Sequence, residues 1–77
     1  MEEIKDAVKL IGKIITIDEN NIIFEFLGNL HSVLVYDEYN VIIDGKTDIN
    51  LDLYLYLPKY VTSTIEQIAT EITNIIS

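Results

Sequence analysis

The sequence predicts an α+β fold, a single small domain in which an antiparallel meander of about five strands carries an N-terminal and a C-terminal helix on one face. Three observations predict it. Segment 48–57 places an aliphatic residue at every second position, which is the period of a half-buried strand. Apolar residues recur with helical spacing at both ends of the chain. The apolar runs between are joined by short turns, and short links make neighbouring strands antiparallel.

The length of the chain limits it to one domain, 1–77, with one core. A chain of this size hides only about 60% of its unfolded surface. It has no Cys for disulfides, yet 49% of its residues are hydrophobic. Either an unusually rich single core or burial against a partner or a second copy accounts for this composition.

The N-terminal segment Glu2–Ile11 predicts a short helix with acidic residues in its first turn. Its apolar residues follow the i, i+3, i+4, i+7 pattern of one helix face: Ile4, Ala7, Val8 and Ile11. Gly12 stands where helices commonly end in a left-handed residue. Segment 13–17 is β-branched and predicts a short strand before the turn at 18–21.

Segments 22–27 and 30–36 predict a hairpin, because Gly28-Asn29 between two apolar runs is a tight-turn signal. A loop at 28–29 would place Phe24 opposite Val33. The better core face of this hairpin consists of Ile22, Phe24, Phe26, His31, Val33 and Val35. The other face is also rich in apolar residues: Ile23, Glu25, Leu27, Leu30, Ser32, Leu34 and Tyr36. A register based on one turn thus predicts an unusually apolar second face.

Segment 41–43 predicts the next strand, and Asp44-Gly45 leads into the alternating strand 48–57, which Pro58 ends. The period then changes to that of a helix. Its apolar stripe comprises Val61, Ile65, Ile68, Ile72, Ile75 and Ile76. Ser63 and Glu66 have the spacing of a capping box.

The charge of the chain is strongly negative: 13 acidic residues face 5 Lys, for a net charge of −8. This excludes direct nucleic-acid binding, which relies on clustered Lys and Arg, and disfavours anionic membranes. No apolar run reaches membrane-spanning length, and acids stand where a signal peptide would be basic. The sequence therefore predicts a cytoplasmic protein, in the bacterial host cytoplasm if a phage encodes it.

Residues that could carry chemistry are few. His31 is the only imidazole, and its predicted register places it among core residues. Ser32 would point to the opposite face, so the two do not form a catalytic couple. The acidic and amide residues Asp44, Asp48, Asn50 and Asp52 lack the central Gly and the closing Glu of a calcium loop. We therefore predict no catalytic, cofactor or metal site, and a protein that is not an enzyme.

The acidic residues and tyrosines instead predict a contact surface on the uncovered face of the sheet. In a meander alternate turns lie at the same end, which brings together the acids of turns 18–19 and 37–38. An apolar patch rimmed by charge is typical of an interface, and Tyr is enriched in interface cores. The predicted partner-binding residues are Asp18, Glu19, Glu25, Tyr36, Asp37, Glu38, Asp48, Asp52, Tyr54 and Tyr56.

This surface favours a protein-binding module that inhibits a partner by occupying its basic, nucleic-acid-binding surface, with carboxylates in place of phosphates. In size and charge the chain resembles phage anti-defence proteins, such as anti-CRISPR proteins, and immunity proteins against nuclease toxins. The likeness covers no motif, so it assigns no functional residue. The alternative is a homodimeric structural or assembly protein that self-associates through the same open sheet face.

Overall fold

A computed structural model describes residues 2–38, 40–51 and 61–77. The chain forms two helices and five strands in the described residues: α1 (Glu2–Ile11), β1 (Lys13–Asp18), β2 (Asn21–Phe26), β3 (Asn29–Val35), β4 (Asn40–Ile43), β5 (Thr47–Asn50) and α2 (Val61–Ile76). The sheet order is β1-β2-β3-β4-β5, and every neighbouring pair is antiparallel. The predicted α+β meander is therefore confirmed.

One hydrophobic core lies between the two helices and one face of the sheet. Its fully buried members come from every layer of the fold: Ile4, Ala7 and Val8 of α1; Ile22, Phe24, Val33, Val41 and Ile43 of the sheet; and Ile68 and Ile72 of α2. Because the cross-strand partners Ile22 and Val33 belong to this set, both helices cover the same side of the sheet. The opposite side, which we call the open face, has no described helix over it.

Strand β5 shows the predicted alternation as far as it is described. Ile49 and Leu51 are turned towards the core, and Leu51 is fully buried, whereas Asp48 and Asn50 are exposed. In the sheet, however, β5 lies at an edge and β3 is the central strand, since consecutive hairpins stack in chain order. The remainder of the alternating segment, with Pro58, falls outside the described residues.

The predicted hairpin exists, but its turn is one residue earlier than expected. Leu27 and Gly28 form the loop, both with positive φ (49° and 83°), as a two-residue hairpin turn of the mirror-image type requires. Phe24 therefore pairs with His31, not with Val33. The turn moves by one residue along both strands, so even-numbered residues of β2 still face odd-numbered residues of β3. Each of the two predicted faces therefore keeps its residues. Leu27 accepts a conformation that costs a non-glycine residue roughly 1–2 kcal/mol, and its side chain is 83% exposed.

Gly12 ends α1, but not as a left-handed cap. Its φ is not positive, and its amide donates to the carbonyl of Val8 in the ordinary helical pattern. Glycine is required here by close approach, because a Cβ would lie 2.3 Å from the carbonyl oxygen of Glu25. The backbone of the turn between α1 and β1 therefore lies very close to the backbone of β2 at Glu25. A sequence pattern does not reveal this close approach.

Helix α2 begins at Val61, so Ser63 lies inside its first turn and the predicted capping box is wrong. A cap contributes only about 1 kcal/mol, and the position of this helix depends mainly on the packing of its apolar stripe. Two of its threonines satisfy their hydroxyl groups within the helix: the Thr70 hydroxyl donates to the carbonyl of Glu66, and that of Thr73 to the carbonyl of Ala69.

Candidate functional site

The open face has an apolar centre. Cross-strand pairing aligns Leu34 with Ile42 and Ile23 with Ser32 on this face. Leu30 is 65% exposed, and Leu34 and Tyr36 keep 38% and 45% of their surface in solvent. Three large side chains exposed on one sheet face are typical of a contact surface.

Tyr36 and Asp48 form a fixed pair across the open face. The Tyr36 hydroxyl lies 2.7 Å from both carboxylate oxygens of Asp48. Tyr36 directly follows β3 and Asp48 belongs to β5, so their contact crosses β4. The hydrogen bond to Asp48 raises the pKa of Tyr36 to about 12, and desolvation and the negative charges of Asp48 and Asp37 act in the same direction. The phenol therefore remains a neutral donor, and its ring is held against the sheet.

The two acidic turns lie at the same end of the sheet, as predicted. The amide of Val35 donates to the carbonyl of Asn20 at 2.8 Å, which ties the β1–β2 turn to the end of β3. Within the β3–β4 turn, Asp37 accepts hydrogen bonds from the backbone and side-chain amides of Asn40. Asn40 in turn accepts a hydrogen bond from Asn50. Asp37 therefore organises its own turn.

The predicted partner-binding residues divide into three groups. Tyr36, Asp37 and Asp48 are held by the contacts above. Four exposed carboxylates form no hydrogen bond or ion pair within the described part of the chain: Asp18, Glu19, Glu25 and Glu38. The remaining three lie outside the described residues: Asp52, Tyr54 and Tyr56. The four free carboxylates are the ones that can meet an outside partner without first breaking an internal contact.

An open depression of about 520 Å³ lies where the β4–β5 turn meets β3, lined by Ile23, Leu30, His31, Ser32, Asp44 and Lys46. Oδ2 of Asp44 is 2.8 Å from Nδ1 of His31, and Oδ1 accepts the backbone amide of Ser32 at 3.0 Å. Because a carboxylate only accepts, the imidazole proton sits on Nδ1. Asp44 has a φ of +54°, so the chain leaves the sheet at this residue. Its side-chain carboxylate, in place of its backbone carbonyl, accepts the hydrogen bond from the Ser32 amide in the β3–β4 ladder.

His31 is half-buried between aromatic rings, which agrees with the predicted core location. Its ring centroid lies 5.8 Å from that of Phe24 and 6.3 Å from that of Phe26. The sequence reasoning missed its contact with Asp44. No local pattern indicates this contact, because it depends on the pairing of Val33 with Ile43, which places Asp44 beside Ser32.

The surroundings of Asp44 lower the pKa of its carboxyl group. Partial burial alone would raise its pKa, but the hydrogen bonds from His31 and from the Ser32 amide, with the charges of His31 and Lys46, outweigh burial and lower the pKa below its ordinary 3.8. The ionised carboxylate therefore stabilises the fold at pH values above 3.8. This contribution disappears as the pH falls through the folded-state pKa.

We expect Asp44→Asn to lower the free energy of unfolding at pH 7 by about 1 kcal/mol, since it weakens charge-assisted hydrogen bonds at a partly exposed site. Urea unfolding at pH 7 and at pH 3 measures the effect. The gap between wild type and variant should be smaller at pH 3 than at pH 7, because the stabilisation by the ionised carboxylate decreases once the pH falls below the ordinary pKa of 3.8. Glu38→Gln, which removes a free carboxylate, should show no gap at either pH. An undiminished gap at pH 3 would contradict the assignment.

In the described part of the chain, no three His, Cys, Asp or Glu side chains are arranged to hold a metal ion. Both carboxylate oxygens of Asp44 already accept hydrogen bonds, one from His31 and one from the Ser32 amide. None of the described helices is long and apolar enough to cross a membrane.

Comparisons with family models, with curated proteins and with solved structures each found no match for this chain.

Proposed function

We propose that this chain is a small, non-enzymatic protein-binding module that inhibits a partner by occupying its basic, nucleic-acid-binding surface. The observation that carries the proposal is the open face, an apolar centre with no described helix over it and with free carboxylates around it. Among known kinds of protein, phage inhibitors of host defence and nuclease immunity proteins act at such surfaces.

The free carboxylates supply the charge of this interaction. Asp18 and Glu19 lie on one turn and Glu38 on a turn at the same end of the sheet, while Glu25 lies on the open face. Carboxylates spread in this way can replace the phosphates of a nucleic acid at a basic surface. A net charge of −8 also accelerates encounter with such a partner.

The apolar centre contributes binding affinity that the carboxylates alone do not provide. Buried aromatic and aliphatic anchors contribute most of the affinity of an interface, and rim charges contribute mainly to association rate and specificity. Tyr36 is suited to this role because Asp48 already holds its ring, so binding loses little side-chain entropy. Leu30 and Leu34 complete the apolar area.

Self-association through the open face is the second candidate, and the exposure of Leu30 and Leu34 favours it. A face-to-face dimer would, however, bring Glu25 and Asp48 close to the acids of the other copy. Like charges across an interface oppose binding by up to several kcal/mol. A basic partner removes this conflict, so we favour it.

The test is capture of bacterial proteins on the immobilised chain at low salt, followed by binding measurements with the purified captured protein. Affinity should fall steeply as salt rises, and the captured protein's own nucleic acid should compete. Glu19→Lys and Glu38→Lys should each weaken binding about tenfold, equivalent to about 1.4 kcal/mol. Asp37 is a poor choice for this test because it organises its turn.

Glu66→Lys is the matched control, since it makes the same change in net charge at an exposed position of α2, on the covered side of the sheet. It should leave affinity nearly unchanged. Salt-insensitive binding, binding without competition by nucleic acid, or an equal loss in Glu66→Lys would each contradict the proposal.

A further inference from the structure

The outer edge of β1 is open. Among the described strands β1 has β2 as its only neighbour, and five of its six residues are exposed. Ile15 and Ile17 keep 51% and 40% of their surface in solvent. A sheet edge with unpaired backbone groups and exposed apolar side chains is a template for another strand.

The sequence of β1 is complementary to itself. Consider a second copy laid antiparallel beside it, with the two-fold axis at Thr16, the central residue of the five that pair with β2. Lys13 then lies opposite Asp18 of the second copy, and Ile14 lies opposite Ile17 of the second copy. Two-fold symmetry repeats both pairs. Opposite charges and β-branched pairs directly across a strand boundary are the combinations that stabilise a sheet.

A β-bulge makes this pairing consistent with the faces of the sheet. Residues five positions apart on a regular strand point to opposite faces. In β1 the register shifts between Ile14 and Thr16, so Lys13 pairs with Glu25 and Asp18 pairs with Asn21. These two partners lie four residues apart on β2 and share the open face. The bulge therefore places both charges of β1 on one face, as the self-pairing requires.

Charge also distinguishes β1 from the rest of the surface. Two copies that each carry a net charge of −8 repel each other over most of their surfaces. Strand β1 itself is neutral, because Lys13 and Asp18 cancel. The other described edge strand, β5, carries Asp48 and no basic residue. Of the two described edge strands, β1 therefore accommodates a second copy with less charge repulsion.

We propose that β1 pairs antiparallel with β1 of a second copy of this chain, forming a two-fold dimer with one continuous sheet. The symmetry axis of such a pairing is perpendicular to the sheet. Both helix layers then lie on one side, and both open faces lie side by side on the other. The dimer does not depend on the proposed function: it occupies Asp18, and it leaves Glu19, Glu25, Glu38 and the open face uncovered in both copies.

Sedimentation equilibrium of the purified chain, from low micromolar to millimolar concentration, tests the pairing without any partner protein. We expect a monomer–dimer equilibrium. Asp18→Lys and Lys13→Glu each turn two attractive cross-strand pairs into repulsive ones, and each should weaken dimerisation by roughly tenfold or more. An equimolar mixture of the two variants restores both attractions, and should dimerise more strongly than either variant alone.

Glu66→Lys is again the control, because it changes the net charge as Asp18→Lys does but lies on α2, which packs near β4. Its dimerisation should not be weaker than that of the wild type. Thermal unfolding checks that Lys13→Glu, which places a second carboxylate opposite Glu25 in the sheet, remains folded. A monomer at every concentration, or a mixture no more associated than its components, would overturn the proposal. So would a dimer that Leu34→Asp abolishes while Asp18→Lys does not, since that result assigns the contact to the open face.

Discussion

Phe24→Ala is expected to lower the free energy of unfolding by about 4 kcal/mol, because it removes a fully buried aromatic side chain and leaves a cavity in the core. Phe24 lies on β2, where its ring contacts that of His31 and comes close to Gly12. Few neighbours can collapse into the space, since the ring is enclosed by the sheet below and the helices above. For a domain of this size the loss corresponds to a fall in melting temperature of roughly 20 °C.

Thermal and urea unfolding, followed by far-ultraviolet circular dichroism, measure this effect. Leu30→Ala is the matched control, because it also truncates a large apolar side chain of the central hairpin, but on the open face. Leu30 is 65% exposed, so its truncation should change stability by no more than about 0.5 kcal/mol. Equal losses in the two variants would mean that the helices do not cover the face that carries Phe24.

Gly12→Ala is expected to cost about 3 kcal/mol, although it adds only a methyl group and alanine favours helices. The new Cβ would lie 2.3 Å from the carbonyl oxygen of Glu25 and 3.2 Å from its carbonyl carbon. Backbone atoms of a paired strand cannot rotate away as a side chain can. The junction of α1 and β1 must therefore move, which disturbs the packing of Val8 and Phe24 on either side of it.

Gly28→Ala is the control that separates the steric clash at Gly12 from the general effect of replacing a glycine. Gly28 has a φ of +83°, but a Cβ there meets no atom within 4 Å. Its cost is therefore that of a strained turn alone, about 1 kcal/mol. Urea unfolding of the two variants should place Gly12→Ala well below Gly28→Ala. The reverse order would contradict close approach as the reason for Gly12.

The strands, the helices and the two sheet faces could be predicted from the sequence because each depends on a local period. Paired residues in a hairpin keep their faces when the turn moves by one residue along both strands. The assignment of Phe24 to the core therefore survived, although its partner is His31 and not Val33. The position of the turn was harder to predict, since Leu27-Gly28 and Gly28-Asn29 share the glycine that provides the signal.

Contacts between distant segments were beyond the reach of these patterns. Asp44 contacts His31 because the β4–β5 turn leaves the sheet beside the middle of β3, and the two residues are 13 positions apart. The hydrogen bond from Tyr36 to Asp48 is likewise tertiary, because 12 positions separate the two residues, whereas Asp37 and Asn40 are only three positions apart in one turn. A count of acidic residues does not distinguish these carboxylates from Asp18, Glu19, Glu25 and Glu38, which form no hydrogen bond or ion pair within the described residues.

Periodicity and composition were sufficient to predict the meander, the single covered face and the acidic, apolar character of the other, because both act residue by residue. Packing was needed to explain why Gly12 must be glycine, which of the described carboxylates form hydrogen bonds, and how a bulge aligns the two charges of β1. These features depend on distances between backbones and between residues far apart in the chain. Such distances exist only after the strands and helices have packed together.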